Sequence, residues 1–194
     1  MLSGLVLSTV GYVRKKGARA RAETEIAALS AACESYKSDN AVYPRDPTAN
    51  TATDALDART KLDPVTADAA LYRAASLVLY RALSGDRNCD RAITDLDKNY
   101  NIDGNPLGTP LNQLPQTYFT FKPNMLSPPG GSGTVTATTD PFGNTYGYST
   151  IQAATQDSTK GYNPTFDLWS TAGVAQSPTP APPATLQDLW IKNW

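Results

Sequence analysis

Asp86, Asn88, Asp90 and Thr94 place side-chain oxygens at positions one, three, five and nine of a twelve-residue stretch that ends on Asp97. Alternate residues of a tight loop turn toward one centre, and a hard cation takes six or more oxygens there. A stretch of this pattern directly after a helix is what an EF-hand type of calcium loop requires. Two residues depart from it. Arg91 stands at the sixth position, where glycine makes the sharp turn, and the closing acid is the shorter Asp97, not Glu. The following Asp95-Leu96-Asp97-Lys98-Asn99 offers alternative ligands. Two expectations therefore stand side by side. One is a structural Ca2+ held by Asp86, Asn88, Asp90, Thr94 and Asp97 that stiffens the segment. The other is an acidic, solvated turn that caps the preceding helix.

Little else in the chain has the makings of chemistry. There is no histidine, which removes the commonest general base and the commonest metal ligand together. No Ser-His-Asp arrangement can then exist, and no phosphate-binding glycine loop follows a strand. Asp140 before Pro141 reads as a turn starter, and Asp167 beside Trp169 as part of a core strand. Cys33 and Cys89 are the only cysteines; Cys33 reads as a small core residue, and a bond between the two is open from sequence. The expectation is a protein that is not an enzyme.

The elements that must carry these residues begin with a long helix. Ala22, Ile26, Leu29, Cys33 and Tyr36 recur at alternating four- and three-residue steps and form one apolar stripe, with Glu23, Glu25, Glu34 and Lys37 off it. Alanines at 27, 28, 31 and 32 keep helix propensity high. Asn40 tolerates a left-handed C-terminal residue, and Pro44 biases Tyr43 to extended geometry. Before the stripe, residues 1–13 are apolar and Arg14, Lys15, Lys16, Arg19 and Arg21 follow without an acid. Thirteen residues fall short of the roughly 20 that span a bilayer as a helix. A helix from Met1 to Asp39 would be about 58 Å long, so half of it should protrude from a small head.

At 194 residues the chain suits one domain, and 15 Pro with 13 Gly imply many turns. Net charge is −1, yet the first 22 residues hold five cations and no acid, which leaves −6 on the rest. No aromatic interleaves the basic cluster, and an acidic bulk repels phosphate, so nucleic-acid binding is excluded. Residues 45–64 read as a loop with at most short turns. Residues 66–84 read as a second helix, capped by Thr66 or Asp68, buried through Leu71, Ala75, Val78, Leu79 and Ala82, and ended by Gly85. Tyr118 to Phe121 and Thr134 to Thr138 alternate as strands around the Ser127–Gly133 turn. Residues 173–185 form a proline-rich spacer. The sum is an α+β domain.

The helix ending Tyr36-x-x-Asp39-Asn40-x-x-Tyr43-Pro44 resembles the stalk of type IV pilin-like proteins, and most of all the major pseudopilin of type II secretion systems. Three further stretches are similar to that family, in its order. These are Asp140-Pro141-Phe142-Gly143-Asn144-Thr145-Tyr146-Gly147-Tyr148, Phe166-Asp167-Leu168-Trp169-Ser170 and the terminal Ile191-Lys192-Asn193-Trp194. The family's Gly-Phe-Thr-Leu-x-Glu signature is absent, so the resemblance implies that the leader and the first half of the apolar segment are missing. The family also binds calcium through acids after its Ser-x-Gly turn. Here Gly173-Val174-Ala175 stands there and Trp190 replaces an Asp, so that site does not carry over.

The resemblance implies a pilin-like fold: a stalk helix over 1–40, with 1–13 as a shortened membrane segment, and a globular head over 41–194. The head packs a small antiparallel sheet on the stalk and carries an insertion over 45–115 that contains the second helix. It further implies a structural subunit of a periplasmic pseudopilus in type II secretion, on the periplasmic face of a bacterial inner membrane. Its partners would be its own copies, other pseudopilins, the inner-membrane secretion machinery and the membrane itself. Assembly would run through Leu2, Leu5, Val6, Val10, Arg14 and Ile26. The positive-inside rule would put the basic cluster in the cytoplasm; the family puts it at the outer membrane face or inside the fibre. The alternative function is an extracellular binding module, an adhesin or carbohydrate binder displayed on a pilus.

Overall fold

The structure, a computed structural model, describes residues 3–45, 52–174 and 185–194, with side chains of the first helix from residue 11 onward. It is α+β. Helix α1, Ser3–Asn40, is a single uninterrupted element of 38 residues, about 57 Å long. Ala22, Ile26, Leu29, Cys33 and Tyr36 are all buried, as their spacing predicts.

Helix α1 stops differently from the expectation. The left-handed residue is Ala41 (φ 62°), not Asn40. Asn40 stays helical because its side-chain amide donates to the Tyr36 carbonyl (2.8 Å) and to the Tyr118 hydroxyl (3.0 Å). It thereby satisfies one of the end carbonyls that a helix leaves open. Tyr36 also meets Tyr118 edge-on (5.2 Å between centroids), and Tyr43 packs on Phe166 (4.9 Å). The motif that ends the helix is thus a set of clamps between stalk and head.

Short helix α2, Ala52–Ala55, lies within the expected loop, and residues 46–51 of that loop fall outside the described residues. Helix α3, Ala69–Ser84, starts three residues later than expected. Asp63 takes the backbone N–H groups of Val65, Thr66 and Ala67, together with the Thr66 hydroxyl, and so holds that stretch as a turn. Gly85 ends α3 in a left-handed conformation (φ 84°), which glycine adopts without a Cβ clash. The buried face is wider than predicted: Tyr72, Ser76, Tyr80 and Leu83 join Ala75, Val78, Leu79 and Ala82.

Two small antiparallel sheets complete the head. Strand β1, Leu126–Ser127, pairs with β2, Ala137–Thr138, across the Pro-Gly turn. Strand β3 (Gly147–Ser149), the short helix α4 (Ile151–Thr155), strand β4 (Asp167–Ser170) and strand β5 (Ile191–Lys192) follow, and the strands pair in the order β3-β4-β5. Residues 118–121 form no strand. The amides of Tyr118 and Phe119 both donate to the Leu83 carbonyl, so the segment is tied to the end of α3 instead of to a partner strand. Likewise only two residues of 134–138 pair as a strand. Most of the proline-rich spacer, 175–184, lies outside the described residues.

Strand β4 is buried along its whole length and divides the core. Leu168 joins the cluster around α1, with Leu29, Tyr146 and Tyr148. Trp169, one residue on and so on the opposite face, joins Leu56, Tyr72 and Trp190. Its indole N–H donates to the Tyr72 hydroxyl (3.0 Å), and its ring stacks on Trp190 at 5.9 Å. Gly147 is the partner of Trp169 in register, and a Cβ there would lie 2.1 Å from the indole. The glycine lets the ring cross the sheet. Asn193 extends the ladder: its backbone amide donates to the Leu168 carbonyl (3.1 Å), and its side chain accepts from the Leu168 amide (2.9 Å) and donates to the Phe166 carbonyl (3.2 Å).

Candidate assembly surface and acidic loop

Helix α1 changes character at Ala22. From there to Tyr36 its stripe is the core of its own head, fastened further by the Tyr146 hydroxyl, which donates to Glu25 Oε2 at 2.6 Å. From residue 11 to 21 every residue but Ala18 is exposed, and Tyr12 and Val13 are each 65% exposed. The five cations fall in this free stretch. Arg19 pairs with Glu23 one turn on (3.3 Å) and donates to the Leu189 carbonyl (3.1 Å). No carboxylate pairs with Arg14, Lys15, Lys16 or Arg21 among the described residues. The chemistry of this stretch, cationic with exposed Tyr12 and Val13, would suit an anionic or apolar partner.

The assembly residues named from sequence divide accordingly. Arg14 is exposed, as an intermolecular contact needs. The side chains of Leu2, Leu5, Val6 and Val10 lie outside those described. Ile26 is corrected: at 4% exposure it belongs to the chain's own core and offers no surface to a neighbour. Its place on the same stripe as Leu29 is the physical reason. No described helix is long and apolar enough to cross a membrane.

In the acidic loop the carboxylates face backbone amides. Asp97, fully buried, accepts from the amides of Arg87 (2.7 Å), Asn88 (3.1 Å) and Thr94 (2.7 Å). Thr94 is the N-cap of a 3-10 turn, Asp95–Asn99, and forms a capping box with Asp97. The Thr-x-x-Asp spacing carries that signal in the sequence. Asp86 accepts from the amides of Asp90 (3.1 Å) and Arg91 (2.7 Å) and from the Tyr80 hydroxyl (2.7 Å). Asn88 and Asp90 bond to each other (2.8 Å). The Asp86 and Asp97 carboxylates are thus engaged with backbone amides, and no group of three His, Cys, Asp or Glu among the described residues is arranged to hold a metal.

Arg91, read from sequence only as a departure from the calcium pattern, has a role of its own. It adopts the left-handed conformation (φ 74°) that a glycine would take at this position. Its guanidinium donates to three carbonyls across the loop: Gly133 (2.7 Å), Gly130 (2.8 Å) and Pro128 (2.6 Å). Three charge-assisted bonds more than offset the ~1 kcal/mol of left-handed backbone strain. An arginine at a glycine position is the only trace of this in the sequence.

The remaining candidates are structural. Asp140 accepts from the amides of Phe142 and Asn144 (2.9 Å each) and from the Ser170 hydroxyl (2.5 Å), which closes the Asp-Pro-Phe-Gly-Asn turn onto β4. Burial pushes its carboxyl up from the ordinary carboxylate range, against those hydrogen bonds. Asp167 accepts from the amides of Tyr162 and Asn163 (2.8 Å each). Cys33 and Cys89 are both buried free thiols in different clusters. Burial raises both, Cys89 to about 11, which leaves them poor nucleophiles.

Comparison with known proteins finds no family model, no curated protein and no solved structure that matches this chain.

Proposed function

We propose that the chain is a structural, non-enzymatic subunit of a helical fibre, a pseudopilin-like protein acting in type II secretion at the periplasmic face of a bacterial inner membrane. One observation supports it above all. A single unbroken helix gives its upper half to the core of its own head and leaves residues 11–21 largely exposed, with Tyr12, Val13 and four cations that make no ion pair among the described residues. A helix that only served its own domain would end where its packing ends. The free stretch is suited to pack among copies of itself, with the heads outside and the stalk cations opposite acids of neighbouring subunits. The α+β head, clamped to the stalk at Tyr36, Asn40, Tyr43 and Tyr146, agrees with a pilin-like layout.

The test separates assembly from folding. Val13→Asp with Arg14→Glu, both in the exposed stretch, should leave the thermal unfolding of the purified chain unchanged. In cells carrying the secretion machinery the same pair should abolish fibres seen by electron microscopy, and secretion with them. Normal fibres and secretion in that variant would overturn the reading. The alternative, a pilus-displayed binding module, draws on the aromatic cavity beside Asp86; selective signal on a glycan array would favour it.

A further inference from the structure

A cavity of about 360 Å3 opens between the end of α3, the residues after it and the Ser127–Gly133 loop. Tyr80, Phe119 and Phe121 line it, and Asp86 contributes to the same wall. The rings form a cluster: Tyr80 to Phe121 is 5.0 Å between centroids with a 58° tilt, and Phe119 to Phe121 is 4.8 Å, edge to face. Asp86 is 2% exposed. The loop's Gly130 and Gly131 also line it.

A buried carboxylate is normally paired with a cation or a metal. The Asp86 carboxylate on this wall has no ion-pair partner among the described residues. Its charged neighbours are the acids Asp90 and Asp97. Arg91 is the cation on the cavity wall, and its guanidinium is committed to the carbonyls of Pro128, Gly130 and Gly133. Asp86 Oδ1 accepts one hydrogen bond and Oδ2 two, so one of about four lone pairs remains open.

The chemistry of the wall selects among cations. A hard metal ion asks for several convergent oxygens, and here one carboxylate stands among rings. Ring faces carry negative potential and attract a cation that sheds water easily, above all an organic ammonium. An anion would meet the Asp86 carboxylate at close range.

We propose that this cavity is a binding site for an alkylammonium or trimethylammonium group, with Tyr80, Phe119 and Phe121 against its carbon-bound hydrogens and Asp86 as counter-ion. The site does not depend on the fibre reading, since it belongs to the head alone.

The probes are choline, n-butylammonium, and dimethylbutanol, the uncharged isostere of choline with carbon in place of nitrogen. Titrations of the full chain are followed by calorimetry and by NMR shifts of the Phe119 and Phe121 rings. Saturable binding of both cations is expected, with dimethylbutanol weaker by roughly tenfold or more. Asp86→Asn, close in shape, and Phe121→Leu should each weaken choline by a similar factor while urea unfolding shows a folded chain. Equal affinity for dimethylbutanol would overturn the proposal, as would shifts confined to residues outside the cavity or no saturation with either cation. The comparison of choline with its isostere is made on the unaltered chain, so it decides the matter even where a variant fails to fold.

Discussion

Truncating Leu29 tests whether the upper half of the stalk is core and the lower half is not. Leu29 is fully buried in the middle of the stripe, in one cluster with Leu83, Tyr148 and Leu168. Leu29→Ala removes three buried carbons, about 2.4 kcal/mol at roughly 0.8 kcal/mol each. The neighbours come from α1, α3 and the sheet and cannot all collapse inward, so a cavity term brings the total to about 3–5 kcal/mol. For a domain of this size that lowers Tm by roughly 6–20 °C. Val13→Ala, at 65% exposure, should stay within about 0.5 kcal/mol. Equilibrium urea unfolding of both variants, with an unchanged m-value, measures the difference. A loss below about 1 kcal/mol for Leu29→Ala, or an equal loss for Val13→Ala, would refute the division of the helix.

Four further outcomes are expected. Gly147→Ala drives a Cβ into the Trp169 indole and should cost about 1–3 kcal/mol, seen as a fall in the urea midpoint and a shifted tryptophan emission. Arg91→Ala frees three carbonyls of residues 128–133; stability should fall by about 1–3 kcal/mol, and proteinase K should cut that loop faster. The Thr66 hydroxyl, then the amides of Val65, Thr66 and Ala67, lower Asp63 from 3.8 to about 2. That contribution is complete above the ordinary pKa and is lost as pH falls from about 4 to 2, so Asp63→Asn should remove this part of the acid slope in urea titrations at stepped pH. The acidic loop already satisfies its carboxylates with amides, so neither EDTA nor millimolar Ca2+ should move Tm; a rise with Ca2+ would show that the loop rearranges around the ion.

The two parts of the chain were unequally legible. Helix α1 was readable because a helix writes its contacts at a fixed period, and five apolar residues at that period leave one way to bury them. Asp167–Ser170 and the Asp140–Asn144 turn were readable for a similar reason, since both are local patterns. Residues 118–121 misled because alternation shows only which side chains seek cover. The partner of their amides, the Leu83 carbonyl, is 35 residues away in the chain. The acidic loop was ambiguous in another way. Oxygens at alternate positions suit a cation and backbone amides equally well, and the amide bonds to Asp86 and Asp97 appear only in the folded loop.

By itself, then, the sequence determined the stripe, the stop near Asn40, the second helix ending at Gly85, and the absence of histidine chemistry. These are properties of neighbours along the chain, set by periodicity and composition. Tertiary structure decided that Ile26 faces its own head, that Cys33 and Cys89 stay apart, and that Arg91 secures a distant loop. It also decided that Asp86, with no ion pair among the described residues, lies beside three rings. Each of these depends on which distant groups meet, and a one-dimensional pattern does not contain that information.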